Sequence, residues 1–342
     1  MARKTPFRIK KRFISFIVLL LCTFFYSFES HQPAPLAVDG DVPLLYQIPG
    51  PDNIRDTLVE SIRQANKSVS IVIYALKDRK LIKALNQKAE EGVKVLILCD
   101  HEASAGVEEL LHKKIKLIPR AAQGLMHQKI VVIDAETIWI GSANFTHDSL
   151  TKHFNLVETI KCKEVASRIL MQMGNMSHHG KIVGSFPIRF TLKKQASTLH
   201  FLPDNGEALG ELKKMIGSAK KSVRVAMYTF TRQDLADCLV QAKKRGVDVE
   251  VAMDLSTSRN ASKKIAALLK KEKIPLHFNS GQELLHHKFV WIDENYLAHG
   301  SANWTLAAFQ QNDDCIMIHY GLTKDQKNVL QAVWRNLAQK KP

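Results

Sequence analysis

The chain has 342 residues, 45% hydrophobic and 24% charged, which is a globular composition and excludes a disordered or collagen-like polymer. Its formal net charge is +16; six basic residues against Glu29 put +5 of that in residues 1–30 and leave +11 for the rest. A basic body of that size suits an anionic partner, whether nucleic acid, an acidic membrane surface or a phosphate ester. Five cysteines without CxxC spacing exclude a disulfide framework and a cysteine metal cluster.

In chain order, a basic stretch from Arg3 to Arg12 precedes the apolar run "FISFIVLLLCTFFYSF" at 13–28 and the polar "ESHQPAP". Residues 1–30 therefore read as a signal peptide or an uncleaved signal anchor. The expectation is an exported protein, secreted or membrane-anchored by its N-terminus, with the catalytic part outside the cytoplasm and 31–44 as linker.

Beyond the linker the chain repeats itself. "SVSIVIYALKDRKLIKALNQKAEEGVKVLILCD" at 68–100 aligns with "SVRVAMYTFTRQDLADCLVQAKKRGVDVEVAMD" at 222–254, so Tyr74 matches Tyr228 and Asp100 matches Asp254. In each copy an amphipathic helix, "IRDTLVESIRQA" or "EALGELKKMIGSA", leads into a β-branched strand. A second amphipathic helix follows, closed by Gly92 or Gly246, and then another strand. This alternation predicts an α/β fold in which each repeat, 45–165 and 196–342, is a mixed sheet flanked by helices. Residues 166–195 show no repeat signal and are expected to connect the halves; "QKNVLQAVWRNLA" at 326–338 reads as a closing helix.

Each copy then presents the same polar layout, "HQKIVVIDAETIWIGSANFT" at 127–146 and "HHKFVWIDENYLAHGSANWT" at 286–305. Residues two apart in a strand share a face, so His127 points with Lys129 and His286 with Lys288. A hairpin turning at 135–136 and 294–295 would set His127 across from Asn144 and Lys129 across from Ser142. It would likewise set His286 across from Asn303 and Lys288 across from Ser301. Imidazole, ammonium, hydroxyl and amide on one face form a set for gripping a phosphodiester. Lysine and the amides neutralise the non-bridging oxygens, while histidine attacks phosphorus or protonates the leaving oxygen. In-line displacement needs a nucleophile and an acid on opposite sides, which two copies related by a pseudo-twofold would supply. A metal ligand is a poor reading of these histidines, because lysine two residues away opposes a second cation.

These residues resemble the phospholipase D superfamily, whose signature is His-x-Lys-x4-Asp followed by Gly-Ser-x-Asn. The resemblance spans about 45–320. It implies two α/β repeats packed face to face, one shared active site and a covalent phosphohistidine formed without metal or other cofactor. Carried over, His127 is the nucleophile and His286 the general acid. Lys129, Lys288, Asn144 and Asn303 bind phosphate with Ser142 and Ser301 assisting, and Asp134 and Asp293 complete the catalytic set as electrostatic and structural support. Many relatives also carry, about 28 positions after the histidine, an acidic residue that orients an imidazole. That position is Asp314 in the second copy but Asn155 in the first, with Glu158 three residues later. The expected protein is thus a phosphodiesterase that hydrolyses or transfers phosphatidyl groups at a membrane surface, active as a monomer with an internal pseudo-dimer. A nuclease acting on DNA or RNA is the alternative, and a non-catalytic phosphate-binding membrane protein the remote one. The basic stretch from Arg259 to Lys273 is either a solvated amphipathic helix or a basic lip beside the site.

Overall fold

The computed structural model describes residues 36–121, 124–176, 186–204, 206–279 and 282–339. The signal or anchor segment 1–30 lies outside the described residues. Within them no helix is long and apolar enough to cross a membrane.

The first repeat builds a seven-stranded mixed sheet in the order β1-β7-β6-β5-β2-β3-β4, from β1 (Leu44–Ile48) to β7 (Asn155–Lys161). Its centre is β2 (Ser68–Ile73), parallel to β3 (Lys94–Asp100) and antiparallel to β5 (Lys129–Ile133); β5 continues as a hairpin into β6 (Thr137–Gly141). β4 (Lys116–Arg120) closes one edge. The second repeat copies this order with β9 (Gln195–Leu202), β10 (Ser222–Met227), β11 (Asp248–Met253), β12 (Leu276–Phe278), β13 (Lys288–Ile292), β14 (Tyr296–Gly300) and β15 (Asp314–Tyr320). Its eighth strand, β8 (Ile188–Leu192), is an added edge beside β9.

The segment 166–195 is not the bare connection expected of it. Most of helix α4 (Lys163–Met176) falls within it, and so does all of β8. A linker needs neither apolar periodicity nor burial, but here Val165, Ala166, Ile169, Met173 and Met176 pack against Ile188, Leu192, Leu199 and Phe201. The segment is structured even without a repeat signal, and β8 has no counterpart in the first sheet.

Helices α1 (Ile54–Arg63) and α2 (Arg79–Glu90) cover one face of the first sheet, α5 (Glu207–Ser218) and α6 (Gln233–Lys244) the matching face of the second. Capping begins α1 and α2: Asn53 and Asp78 accept from the backbone N–H groups of Asp56 and Leu81. The inner faces of the two sheets meet each other. Val72, Ile130, Ile140 and Ile160 pack on Cys315 and Met317 on one side of the interface. Leu45, Phe154 and Leu156 pack on Phe289, Trp291 and Leu297 on the other, beneath the closing helix α10 (Lys324–Gln339). Burying apolar faces on both sides of each sheet makes the two halves one body, because neither inner face is polar enough to stand in water alone.

The hairpins turn one residue earlier than expected. Ile130 pairs with Ile140 and Phe289 with His299, so Lys129 lies nearest Gly141 and not Ser142. The reason is local: Asp134 and Ala135, like Asp293 and Glu294, adopt positive φ between 51° and 55°, and Glu136 N closes the turn on Ile133 O.

Candidate active site

Each histidine strand is delivered to the interface by an aspartate, Asp100 at the end of β3 or Asp254 just after β11. Met126 N donates to Asp100 Oδ2 (3.1 Å) and Leu285 N to Asp254 Oδ2 (3.0 Å), fixing the residue just before His127 and His286. The strands then bond across the pseudo-twofold: His127 N donates to Asp313 O (2.8 Å) and His286 N to Phe154 O (2.9 Å). Two histidines 159 positions apart are thereby brought into one site, both buried and close enough to affect each other electrostatically.

The orienting groups cross over. His127 Nδ1 donates to Asp314 Oδ1 of the second repeat at 2.8 Å. His286 Nδ1 donates to Asn155 Oδ1 and Ser142 O of the first repeat, both at 3.1 Å. In each case the proton sits on Nδ1, which leaves the Nε2 lone pair for chemistry. The partner 28 positions after each histidine serves the other repeat's imidazole, which no reading within one repeat would reveal.

The hydroxyl protons of Ser142 and Ser301 are directed to the orienting residues. Their side chains are buried and hold the orienting residues: Ser142 Oγ donates to Asn155 Oδ1 (2.8 Å) and Ser301 Oγ to Asp314 Oδ1 (2.6 Å). They also accept from Leu156 N and Cys315 N. The glycine before each serine permits this, since a Cβ on Gly141 or Gly300 would meet Leu156 O or Cys315 O at 2.4 Å. Asn144 and Asn303 are half-buried; Asn303 Oδ1 accepts from Thr229 N, and among the described residues neither Nδ2 makes a hydrogen bond. Those amides stay available to a phosphate oxygen.

Lys129 and Lys288 are buried, each with its Nζ donating to the carbonyl of the histidine two residues earlier and lying over a tyrosine ring, Tyr74 at 5.2 Å and Tyr228 at 4.9 Å. The same tyrosines pack against the rings of His127, edge-on, and His286, tilted. The equal spacing of Tyr74 and Tyr228, and of Asp100 and Asp254, in the repeat alignment was the signal that could have put them in the site. Burial lowers the Lys129 ammonium to about 7, and burial with the Lys129 charge lowers Lys288 as well. His127 and His286 are also pushed below the ordinary imidazole value, first by burial and then by the adjacent lysines; at His127 the Asp314 carboxylate opposes the shift. Four crowded groups that resist protonation form a site in which a bound anion favours proton uptake.

Asp134 and Asp293 spend their carboxylates on backbone N–H groups away from the histidines. They stand at the hairpin tips, seven residues and so about 20 Å of strand from their histidines. The Asp134 carboxylate accepts from Asn66, Lys67 and Ser68 N at 2.7–2.9 Å, and Asp293 from Lys220, Lys221 and Ser222 N over the same range. Each ties the hairpin to the start of the neighbouring strand. Glu158 is also outside the phosphate site, buried further along β7.

A family profile described as "Cardiolipin synthase, PLD-like domain" matches residues 58–177 and 212–337, most of both repeats. The chain belongs to the phospholipase D superfamily. This phospholipase D-like chain is similar to a cardiolipin synthase of Staphylococcus aureus, 27% identical over 315 residues that cover 75% of the chain and 60% of the relative. It is also similar to mitochondrial cardiolipin hydrolase of Danio rerio, 33% identical over 101 residues covering 30% of the chain and 44% of that protein. The chain therefore spans less than two thirds of these relatives. Its fold matches the phosphatidylserine synthase structure from Haemophilus influenzae with a TM-score of 0.69 at 15% identity, covering 93% of this chain and 90% of that one.

Proposed function

We propose that this phospholipase D-like chain cleaves the phosphodiester joining a phosphatidyl group to glycerol and passes the phosphatidyl group to an alcohol or to water. The observation that carries this reading is the unequal partnering of two facing histidines, an anionic carboxylate on His127 and a neutral amide on His286. The carboxylate makes His127 the better nucleophile and stabilises the positive ring that forms when Nε2 bonds phosphorus; the amide leaves His286 a readier proton donor.

The negative charge of the bound phosphodiester lets His286 take up a second proton, at Nε2. Nε2 of His127 then attacks phosphorus while the bond to the leaving alcohol breaks, and that proton goes to the leaving oxygen. A second alcohol or water then gives its proton back to His286 as its oxygen attacks phosphorus and the P–N bond breaks. Lys129, Lys288 and the amides of Asn144 and Asn303 hold the non-bridging oxygens throughout. Both histidines come from one chain, so a monomer holds a complete site.

The names of the relatives support a phosphatidyl substrate, since synthesis and hydrolysis of cardiolipin both act on the bond between a phosphatidyl group and glycerol. Nucleic acid, the alternative partner, has less support for the same reason. The basic body and the apolar segment 13–28 support work at an anionic membrane surface outside the cytoplasm, where each nearby basic residue adds about 1 kcal/mol. On helix α8 (Lys263–Lys271) Ile265 and Leu269 are buried while Lys263, Lys264, Lys270 and Lys271 face solvent.

The test supplies the purified protein with phosphatidylglycerol vesicles, cardiolipin vesicles, and single- and double-stranded DNA and RNA. Glycerol release with cardiolipin formation marks transfer, and phosphatidate marks hydrolysis; His127→Ala should abolish either. Cut nucleic acid with inert vesicles would reverse the substrate reading. Protease added to intact cells should digest the body of the protein if it is exported.

A further inference from the structure

Glu158 sits between the sheets with His299 of β14 and His319 of β15, all three buried to 2% exposure or less. His319 Nε2 lies 2.7 Å from Glu158 Oε2, and His299 Nε2 lies 3.2 Å from the same oxygen. The two imidazoles lie near-parallel, with centroids 5.8 Å apart. Ser197 Oγ is 2.8 Å from His319 Nδ1. Glu158 Oε1 and both ring nitrogens of His299 have no hydrogen-bond partner among the described residues.

The pseudo-twofold supplies an internal control. Shifted by the same 159 positions that relate the two histidine motifs, Glu158, His299 and His319 correspond to Met317, Ile140 and Ile160. Those three lie together in the apolar cluster on the other side of the interface. The fold is therefore satisfied there by methionine and two isoleucines. Buried ionic groups are commonly no better for stability than such apolar sets, and burying them is costly unless each charge and lone pair is met. Packing alone gives no reason for three ionisable groups on one side only.

Two imidazole nitrogens and a carboxylate are a donor set for a borderline divalent ion. A bidentate Glu158 raises the set to four donor atoms and employs the orphaned Oε1. The donor atoms lie within 4.8 Å of one another; ligands at about 2.0–2.1 Å from a tetrahedral zinc stand roughly 3.4 Å apart. A hydrogen bond from His319 Nδ1 to Ser197 is the outer contact that aims Nε2 at an ion.

We propose that Glu158, His299 and His319 form a structural site for a divalent transition ion of the zinc class, joining the two repeats between their sheets. It lies about three strand residues, roughly 10 Å, from Asn155 and His286 and takes no part in phosphoryl transfer. Its closed, buried position fits a clamp and leaves no path for substrate.

Metal analysis of the full chain, purified in detergent from zinc-supplemented cells, should find about one zinc per chain. Loading with cobalt should give visible d–d bands of tetrahedral type. The triple variant Glu158→Met, His299→Ile, His319→Ile copies the symmetric apolar set, so it should fold and lose both signals. Glu158→Gln, which keeps the shape, should lower the metal content at least tenfold if the triple variant does not fold. Wild-type protein carrying no more zinc or cobalt than Glu158→Gln would overturn the proposal and leave the triad a buried polar cluster. None of these readouts involves turnover, so the outcome is independent of which phosphodiester the enzyme cleaves.

Discussion

Asp314 of the second repeat accepts the Nδ1 proton of His127 of the first across 2.8 Å, while the position that mirrors it, Asn155, does the same for His286 with a neutral oxygen. One carboxylate in a pseudo-symmetric pair of otherwise matched sites gives the two imidazoles different chemistry. Asp314→Asn should therefore cut kcat by about 10²-fold or more, because the positive phosphohistidine loses its counter-charge. It should also move the acid limb of the pH–rate profile to lower pH, since the carboxylate is what raises the His127 value. Asn155→Asp should act oppositely on His286, raising its value and carrying activity to higher pH. Unchanged limbs in both variants would assign these residues a purely packing role.

The division of labour between the histidines can be read covalently. With His286→Asn, the acid and water-activating group is gone while the attacking nitrogen remains. A substrate with an activated leaving group should then leave labelled phosphorus on His127, detectable by peptide mapping. Label on His286 in His127→Asn would exchange the two roles.

Asp134→Asn and Asp293→Asn should act on stability and not on the chemical step. Each exchanges a carboxylate that accepts three backbone N–H groups for a neutral amide that accepts less well. A loss of about 1–3 kcal/mol in urea unfolding is expected from weakening such charge-assisted bonds. Turnover per folded molecule should stay within about twofold. Burial raises these carboxyls, but the backbone donors outweigh it and set both below the ordinary value. Their stabilisation is thus present at neutral pH and is lost as pH falls below the carboxylate range. A hundredfold loss of kcat at full stability would restore them to the catalytic set.

The phosphate site should couple anion binding to proton uptake. His127 and His286 are held below 6.5 in the folded chain, so the unfolded chain binds protons there that the folded one refuses. The folded state accordingly loses stability as pH drops below 6.5. Tungstate, a dianion across this range, offsets the crowded positive charge and raises these values. Its stabilising shift in Tm should be larger at pH 6 than at pH 8, measured against chloride of equal ionic strength, and absent in Lys129→Met/Lys288→Met. Equal shifts at both pH values would argue against proton-linked binding.

Local chemistry decided much of this protein from the sequence alone. Strand and helix periods, the duplicated spacing and the Gly-Ser-Ala-Asn blocks specify two α/β units with matching polar patches, because those patterns depend on residues a few positions apart. Even there the hairpin register slipped by one: Ala135, after Asp134, takes a left-handed conformation that its residue type does not advertise. What lay beyond the sequence are relations between residues more than a hundred positions apart. Asp314 meets His127, Asn155 meets His286, and Glu158 leaves the catalytic neighbourhood to join His299 and His319. Ser142 and Ser301 donate to those partners. Each of these outcomes depends on which sheet faces pack together. That choice follows from burying two apolar inner faces against each other, a property of the whole surface that no short motif encodes.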